Sequence, residues 1–456
     1  MSRTFIDISR LEHVYRPVGE RIQDTLEVEA PLATGEVQRL ASRCQNCGLP
    51  YCHAMGCPLQ NAIPDINRAV MQGNWRDAWE RLAETSPFPE FTSRICPALC
   101  EASCCLEGEG FGATNVRQIE KRIVDMAFEQ GWVLQQKPLR RNGKSVAIIG
   151  AGPAGLATAA KLNASGWKVA IFDRNEHPGG LLRYGIPCFK LDKALIDRRW
   201  KLMEEAGIEF HGKTEVGKDV SGGYLLKHFD AIVVAYGTPV PRDLKVPGRE
   251  LGGIVQALEL LGGQNRLNTG ETSEPPVSGC GKKVLIIGGG DTGNDCGGTV
   301  IRQGAASVMS IDLMPKPPLE RSIHTPWPMW PYKLRGSSSV DEGLQRFWSL
   351  NTLRFLGENG HVTGVEVVPV KWEFMDNGKP AKFTVSGPSR VIPCDLVVLA
   401  MGFLRQKREE ILAALGLPDQ ENVLLAGDAA NGPSLVVRAI ADGLKCTINL
   451  QLAISN

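Results

Sequence analysis

The sequence predicts an α/β fold in which a helical, cysteine-rich region precedes two Rossmann-like dinucleotide-binding units. Residues 146–162 pass from an apolar strand through a G-x-G-x-x-G turn into an Ala- and Leu-rich helix. The same pattern returns at residues 283–300. Eight of the 13 cysteines lie between Cys44 and Cys105, ahead of both glycine turns. Strands alternating with helices behind such turns are typical of parallel-sheet nucleotide-binding folds.

Composition excludes several classes of function. The formal net charge is +1 and basic residues do not form runs, so charge indicates neither a nucleic-acid nor a membrane partner. No stretch approaches 18 consecutive apolar residues, so we expect no transmembrane helix. The opening residues, MSRTFIDISRLEH, lack the apolar core of a signal peptide, and we therefore expect a cytoplasmic protein.

The clustered cysteines indicate ligands for a metal or an iron–sulfur cluster, because disulfides do not suit a chain without an export signal. The first set has the spacing C-x2-C-x4-C-x4-C and is followed by Pro58, as in ferredoxin-type sequences. If the second set lies on a helix, its members share one face. The two sets are Cys44, Cys47, Cys52 and Cys57, and then Cys96, Cys100 and Cys104.

Seven thiolates fit two 4Fe-4S clusters with one non-cysteine ligand better than they fit zinc, which favours four thiolates in two pairs. Zinc and unligated thiols are the alternatives. The five scattered cysteines are expected to be buried, inert thiols.

The first glycine turn carries Gly150, Gly152 and Gly155, and the strand at 168–172 ends in Asp173. The three glycines permit a tight turn, close approach to a pyrophosphate and tight packing of helix on strand. The acid is placed to bind a ribose hydroxyl. An ordinary glycine-rich turn is the alternative, but it does not require strand, glycines, helix and acid in this order.

The second turn carries Gly288, Gly290 and Gly293, and the strand at 307–313 carries Asp312. Two such units bind two dinucleotides or one dinucleotide twice. We interpret them as a flavin site and a nicotinamide site that exchange a hydride.

Later segments complete the two sheets. The pair Gly179–Gly180 permits close approach of backbone to a ligand. Apolar strands are predicted at 230–237, 394–402 and 423–430, and the last of them delivers Asp428 to a glycine-rich turn. Asp428 can bind a flavin hydroxyl; the alternative, which is compatible with that role, is a cap on a final helix that begins near Ser434. The Pro- and Trp-rich segment 315–330 is expected to be irregular, as core packing or a lid.

Six motifs together resemble one family, the small (beta) subunit of glutamate synthase, which is related to the N-terminal half of dihydropyrimidine dehydrogenase. They are CQNCGLPYC, FPEFTSRICPALCEASC, VAIIGAGPAGLA, PGGLLRYGIP, VLIIGGGDTGNDC and AGDAANGPSLVVRAI. The resemblance implies a helical domain with two 4Fe-4S clusters over residues 1–143. It implies an FAD domain over 144–247 and 394–456 and an NAD(P)H domain over 248–393, both Rossmann-like as in glutathione-reductase-type flavoproteins.

The resemblance also implies the cluster ligands. Cluster one would be held by Cys44, Cys47, Cys52 and Cys104, and cluster two by Cys57, Cys96, Cys100 and Glu120. The alternative for Glu120 is an ordinary surface glutamate on a helix. Cys105, beside Cys104, is an extra thiol that could compete as a ligand.

The implied cofactor residues divide between the two units. Those for FAD are Gly150, Gly152, Pro153, Ala154, Gly155, Asp173, Gly180, Leu181, Arg183, Gly237, Gly427, Asp428 and Ser434. Those for NAD(P)H are Gly288, Gly290, Asp291, Thr292, Gly293 and Asp312. No catalytic side chain is expected, because the hydride passes between cofactors.

Coenzyme choice follows from charge at the end of the second strand. Asp312 would accept the ribose hydroxyl of NADH and repel the 2′-phosphate of NADPH, and SIDLMPKPP has no paired arginine there. This favours NADH, with NADPH retained as the alternative.

Three functions are consistent with the resemblance. The chain is an electron-input subunit that serves a large glutamate synthase subunit, a stand-alone reductase of ferredoxin or a sulfur compound, or a non-catalytic scaffold. Ser2 after Met1 offers no N-terminal cysteine nucleophile, and the chain has no length for an FMN barrel. A large partner would therefore have to supply glutamate chemistry.

Overall fold

The computed structural model describes residues 4–12, 14–134 and 137–455. Residues 4–134, here called the helical region, form short helices around the clustered cysteines. These are α1 Thr4–Asp7, α2 Val18–Arg21, α3 Thr34–Ala41, α4 Ile63–Met71, α5 Trp75–Thr85, α6 Pro89–Ile95, α7 Leu99–Ala102, α8 Cys105–Gly108 and α9 Val116–Glu129, with a π-helix at Cys52–Gly56. The polar segment 135–144, whose proline and glycine predict a linker, lies partly outside the described residues.

Two backbone breaks shape this region. Apolar residues at helical spacing over 63–85 predict a helix there, but it is interrupted at Gly73, whose φ of 78° ends α4 and lets α5 start in a new direction. Ala98 has a φ of 63°, so the second cysteine set does not lie on one helix. Only Cys100 of that set is helical, and Cys96 and Cys104 lie on either side of α7.

The first sheet is fully parallel, and its strands lie in the order β14 (Val423–Leu425), β4 (Ala231–Val234), β1 (Ser145–Ile149), β2 (Lys168–Phe172) and β3 (Glu209–His211). Its core strands β1, β2 and β4 are apolar and almost wholly buried, as expected for a sheet covered by helices on both faces. Its elements up to residue 234 are β1 Ser145–Ile149, α10 Pro153–Ala164, β2 Lys168–Phe172, α11 Leu181–Tyr184, α12 Lys193–Glu205, β3 Glu209–His211, α13 Gly222–His228 and β4 Ala231–Val234.

The second sheet is also parallel, with order β5-β13-β6-β7-β8. An antiparallel unit of four strands follows β8, in the region 353–391 for which the sequence predicts short mixed strands. The elements are β5 Ile254–Gln256, α14 Ala257–Asn268, β6 Lys283–Ile287, α15 Asp291–Arg302, β7 Ser307–Ile311, α16 Ser338–Asp341, β8 Gln345–Phe347, β9 Leu350–Glu358, β10 His361–Phe374, β11 Pro380–Val385, β12 Arg390–Pro393 and β13 Leu396–Leu399.

The return of the chain to the first sheet comes later than the predicted boundary at residue 394. β13 pairs in parallel with β5 and β6, so it belongs to the second sheet. The first sheet resumes only with β14. The remaining elements are α17 Arg408–Leu415, β14 Val423–Leu425, α18 Asp428–Asn431 and α19 Val436–Ser455. Within the described part of the chain, no helix has the length and apolar character needed to cross a membrane.

Buried ion pairs join the three parts of the molecule. Glu90 of the helical region accepts from Arg199 of α12 at 2.6 Å. Arg21 of α2 donates to Glu342, next to α16, at 2.7 Å, and Arg302 of α15 donates to the same carboxylate at 2.7 Å. The side chains of Glu90 and Glu342 are fully buried. Each acid is therefore compensated by a base from another part of the fold.

Replacing Arg199 by Met should destabilise the protein by about 3–5 kcal/mol, because Glu90 would be buried without its partner. Urea unfolding monitored by far-UV circular dichroism measures the loss. Arg354→Met, at an exposed pair with Glu366, is the matched control and should cost below about 1 kcal/mol. The double variant Arg199→Met/Glu90→Leu should recover most of the stability. A double variant no better than Arg199→Met would contradict the assignment.

Candidate functional site

The first glycine turn is closed by contacts that only glycine permits. A Cβ on Gly155 would lie 2.0 Å from the carbonyl oxygen of Gly150, so α10 packs directly on the end of β1. Gly150 has a φ of 105°, and a Cβ there would meet backbone atoms of Ala235 and Tyr236. In contrast, a Cβ on Gly152 would meet nothing within 4 Å. The open side of the turn is thus at Gly152, at the N-terminus of α10, where a phosphate would be favoured.

The second turn repeats this construction. A Cβ on Gly293 would lie 2.1 Å from the carbonyl oxygen of Gly288, and one on Gly288 would lie 2.2 Å from that of Ala400. A Cβ on Gly290 would meet nothing within 4 Å. Asp291 and Thr292 follow in the first turn of α15.

The two strand-end acids hold the turns by matching contacts. Asp173 accepts from the backbone N–H of Ala151 at 2.7 Å and of Asn175 at 2.8 Å. Asp312 accepts from Gly289 at 3.1 Å and Met314 at 2.9 Å. An ionised carboxylate has about four acceptor positions, so each acid retains capacity for a ribose hydroxyl.

The predicted flavin residues converge on the first turn. A Cβ on Gly180 would lie 2.7 Å from the Cα of Gly152, and one on Gly427 would lie 2.5 Å from the Cβ of Ala154. Gly237 follows β4 with a φ of 81°. The turn, the PGG segment and the C-terminal segment therefore meet in space, although almost 250 residues separate the PGG segment from Gly427.

Two predicted flavin residues have structural partners. The buried Arg183 donates to the carbonyl oxygen of Pro178 at 3.0 Å and pairs with Asp197. Leu181 is exposed at the start of α11.

Asp428 is the first residue of α18 and does not cap α19, so the capping alternative is not observed. Ser434 donates to its carboxylate at 2.6 Å, and burial raises the pKa of Asp428. Asp428 and Ser434 therefore act as one polar pair beside Gly427.

The structure sorts the cysteines into two groups. In the first group, burial and the neighbouring thiols of Cys104, Cys44 and Cys47 raise the pKa of Cys52. Cys105 belongs here as well, with its Sγ 3.6 Å from the Sγ of Cys47. Burial and this contact raise the pKa of Cys47 to about 12.

The second group lines one cavity between the helical region and the first sheet. Cys57, Cys96, Cys100 and Glu120 all face this cavity, and Val437 of α19 closes it. Glu120 is only 8% exposed, so it is not the surface glutamate considered as an alternative. Burial raises the pKa of its carboxyl to about 7, and burial followed by Glu120 raises the pKa of Cys57 to about 12.

The donor sets fit iron–sulfur clusters. Buried thiols and a buried acid resist ionisation by themselves, and a cationic group among them would offset that cost. Thr92 Oγ1 lines the second cavity and Thr114 lies beside Cys104; both hydroxyls are buried without a hydrogen-bond partner among the described residues. Sulfur atoms of a cluster would supply the acceptors. Within residues 4–12, 14–134 and 137–455, no three side chains converge as tightly as a single metal ion requires.

The Pro- and Trp-rich segment covers the first thiol group, a contact that sequence reasoning missed. Trp327 donates to the carbonyl oxygen of Cys104 at 3.0 Å, and its ring centroid lies 4.8 Å from that of Tyr51. Ser103 donates to the carbonyl oxygen of Pro328 at 2.8 Å. The segment follows β7 of the second sheet in the chain but packs on the helical region. A local sequence pattern does not predict a contact between residues so far apart in the chain.

Arg335 is a second residue that the sequence did not single out. Its guanidinium lies 3.8 Å from the centroid of the Trp330 ring and is electrostatically coupled to Asp291 at the start of α15. Burial lowers its pKa, but the guanidinium remains charged at neutral pH. Arg335 therefore brings a cation close to the N-terminus of α15 from the segment that follows β7.

Comparisons with known proteins agree with this arrangement. Residues 21–132 match the family described as dihydropyrimidine dehydrogenase domain II, 4Fe-4S cluster. Residues 144–325 match the pyridine nucleotide-disulphide oxidoreductase family. The profiles thus confirm a 4Fe-4S domain followed by an oxidoreductase domain, and they favour iron–sulfur clusters over zinc.

FprA, an oxidoreductase of Mycobacterium tuberculosis, has a similar fold, with a TM-score of 0.55 and 18% identity over 69% of this chain and 85% of its own. Among relatives in sequence, glutamate synthase [NADH] of Saccharomyces cerevisiae is 37% identical over 98% of this chain, which corresponds to 22% of that protein. The glutamate synthase [NADPH] small chain of Mycobacterium tuberculosis is 44% identical over 94% of this chain and 90% of its own length. The resemblance seen in the six motifs is confirmed, and the chain belongs to the glutamate synthase small chain family.

Proposed function

We propose that the chain is the electron-input subunit of a glutamate synthase. It oxidises NADH or NADPH through FAD and passes electrons through two 4Fe-4S clusters to a large subunit, which makes glutamate from glutamine and 2-oxoglutarate. The observation that carries this proposal is the placement of the second thiol group, whose cavity is lined by Val437 of α19, the helix that packs on α10 behind the flavin turn. A cluster there would be the first acceptor beyond the flavin.

When bound, FAD supplies a hydride acceptor that can release electrons singly, and the clusters carry single electrons. This chain's own residues bind and orient these groups. The open sides of the turns at Gly152 and Gly290 would let the backbone approach the two dinucleotides, and Asp173 and Asp312 fix the turns while retaining acceptor positions for ribose. No side chain needs to gain or lose a proton in the hydride step.

The two thiol groups differ in their surroundings, which supports one direction of electron flow. The group with Cys100 and Glu120 packs against the first sheet. Cys44, Cys47 and Cys52 are half-buried, and two apolar side chains beside them, Leu49 and Met55, are 81% and 63% exposed. Electrons therefore leave near Cys44, Cys47 and Cys52, and the large subunit would dock there.

The proposal predicts two glycine variants with separate defects. Gly152 and Gly290 have ordinary φ values of −76° and −80° and open space at Cβ, so valine at either position should leave the fold intact. Gly152→Val should purify without flavin. Gly290→Val should retain flavin and its reduction by dithionite, but should lose reduction by NADH and NADPH.

An anaerobic titration followed by visible absorption measures this outcome. In the unaltered protein the flavin band should bleach at about one equivalent of coenzyme. Gly223→Ala, at an open position in α13, is the matched control and should behave as the unaltered protein. Absence of bound flavin, or flavin that neither coenzyme reduces, would leave only the scaffold function.

Glutamate formation from glutamine and 2-oxoglutarate, with and without the candidate large subunit, tests the acceptor. Formation that requires both proteins and coenzyme supports the proposal. Rapid reduction of ferredoxin or of a sulfur compound without any effect of the large subunit would instead favour a stand-alone reductase.

Asp312 should make NADH the preferred coenzyme, because its charge opposes a 2′-phosphate. Asp312→Asn keeps a side-chain acceptor and removes the charge. It should raise the ratio of kcat/KM for NADPH to that for NADH by roughly 10- to 100-fold, as expected when a like-charge contact of a few kcal/mol is removed. Steady-state reduction of ferricyanide measures both constants. Asp376→Asn, in the exposed turn between β10 and β11, is the control, and an unchanged ratio in Asp312→Asn would contradict the assignment.

A further inference from the structure

Asn61 touches two members of the second thiol group at once. Its side-chain Nδ2 donates to Glu120 Oε1 at 2.9 Å, and its backbone N–H is directed at the Cys57 thiol. The residue is 2% exposed, so water does not compete for these contacts. One residue therefore fixes the relative position of a thiol and a carboxylate that lie 63 residues apart in the chain.

The orientation of the Asn61 amide is itself fixed. Thr85 Oγ1 donates to Asn61 Oδ1 at 2.8 Å, and an ionised Glu120 can only accept hydrogen bonds. The amide NH2 must therefore face Glu120 and its oxygen must face Thr85. The backbone of Asn61 is also held, because Ile63 donates to its carbonyl oxygen at 2.7 Å and His53 Nδ1 lies 3.1 Å from the same atom.

We propose that Asn61 is a positioning residue for cluster two, aligning its ligands Cys57 and Glu120, with Thr85 locking the amide. This inference rests on the proposed function, since it takes these residues as cluster ligands. Hydrogen bonds from neighbouring residues to metal ligands orient those ligands and tune the metal they hold. Hydrogen bonds to the ligands favour the more reduced, more negative cluster, so their removal lowers the reduction potential.

The test uses the cluster-loaded full chain and EPR-monitored redox titration. Glu120→Cys identifies the signal of cluster two, which it should shift while the other signal stays in place. Asn61→Leu should move the potential of that same signal to a more negative value. It should also speed loss of iron from cluster two to a chelator by roughly 10- to 100-fold, the range usual when a residue that hydrogen-bonds a metal ligand is replaced.

Thr85 supplies a variant pair that leaves Asn61 in place. Thr85→Val removes only the hydroxyl and should shift the potential in the same direction by a smaller amount. Thr85→Ser keeps the hydroxyl and should restore the unaltered potential. This pair remains informative where Asn61→Leu does not fold.

Asn163→Leu is the matched control for the loss of a buried asparagine. Asn163 is equally buried, donates to the carbonyl oxygen of Ala206 and accepts from Arg141, far from either thiol group. Its loss should lower stability without moving either cluster signal.

The proposal is overturned if Asn61→Leu and Thr85→Val leave the cluster-two potential unchanged. It is equally overturned if they shift both clusters alike, or if Glu120→Cys moves neither signal. Reduction of bound flavin by NADH is recorded in the same samples. Failure of that reduction in the unaltered protein would count against the proposed function, whereas normal reduction with unmoved potentials would count against Asn61 alone.

Discussion

The arrangement of cofactors depends on buried charge at the interfaces between the three parts of the chain. Electron transfer requires these parts to keep fixed relative positions, and each interface contains an acid paired with a base from the facing part. The third such pair joins Lys190, which follows the PGG segment, to the buried Asp295 of α15. Burying a charge without its ion-pair partner costs free energy. The two parts that meet at each interface are therefore held in the one alignment that pairs the acid with the base. Apolar packing by itself would permit sliding.

Sequence reasoning predicted the parts of the fold that local chemistry dictates. The two glycine turns could be identified from the sequence because the close contacts at Gly155 and Gly293 leave no room for a side chain. The spacing of the glycines therefore indicates the geometry of each turn. The helix break at Gly73 and the left-handed Ala98 were missed, since helical periodicity continues through both positions. The placement of β13 was also missed, because the similar runs DAIVVAYG and CDLVVLAMG do not reveal which sheet each strand joins.

Local sequence patterns also failed to predict how the cysteine thiols divide into two groups. Cys100 and Cys104 are four residues apart, and a continuous helix would have placed them on one face. The break at Ala98 confines the helix to one turn around Cys100, and Cys104 leaves it toward Cys44, Cys47 and Cys52. Family resemblance predicted this division and residue spacing did not. Cys105 joins Cys104 in the first group, where its thiol contacts that of Cys47. The first group therefore contains one thiol more than the four expected cluster ligands.

The carboxylate among the proposed ligands of cluster two imposes a requirement that four thiolates would not. Glu120 is buried and must be desolvated, and its Oε1 accepts from the neutral amide of Asn61, whereas Arg117, one turn earlier on α9, donates to Glu29. A cation in contact with Glu120 would compete with iron for the carboxylate. A neutral donor such as the Asn61 amide orients one oxygen without neutralising the charge, and it leaves the other oxygen free for the metal. A donor to a carboxylate ligand is therefore expected to be a neutral amide or hydroxyl. Here the Thr85 hydroxyl donates to Asn61, and the Asn61 amide donates to Glu120.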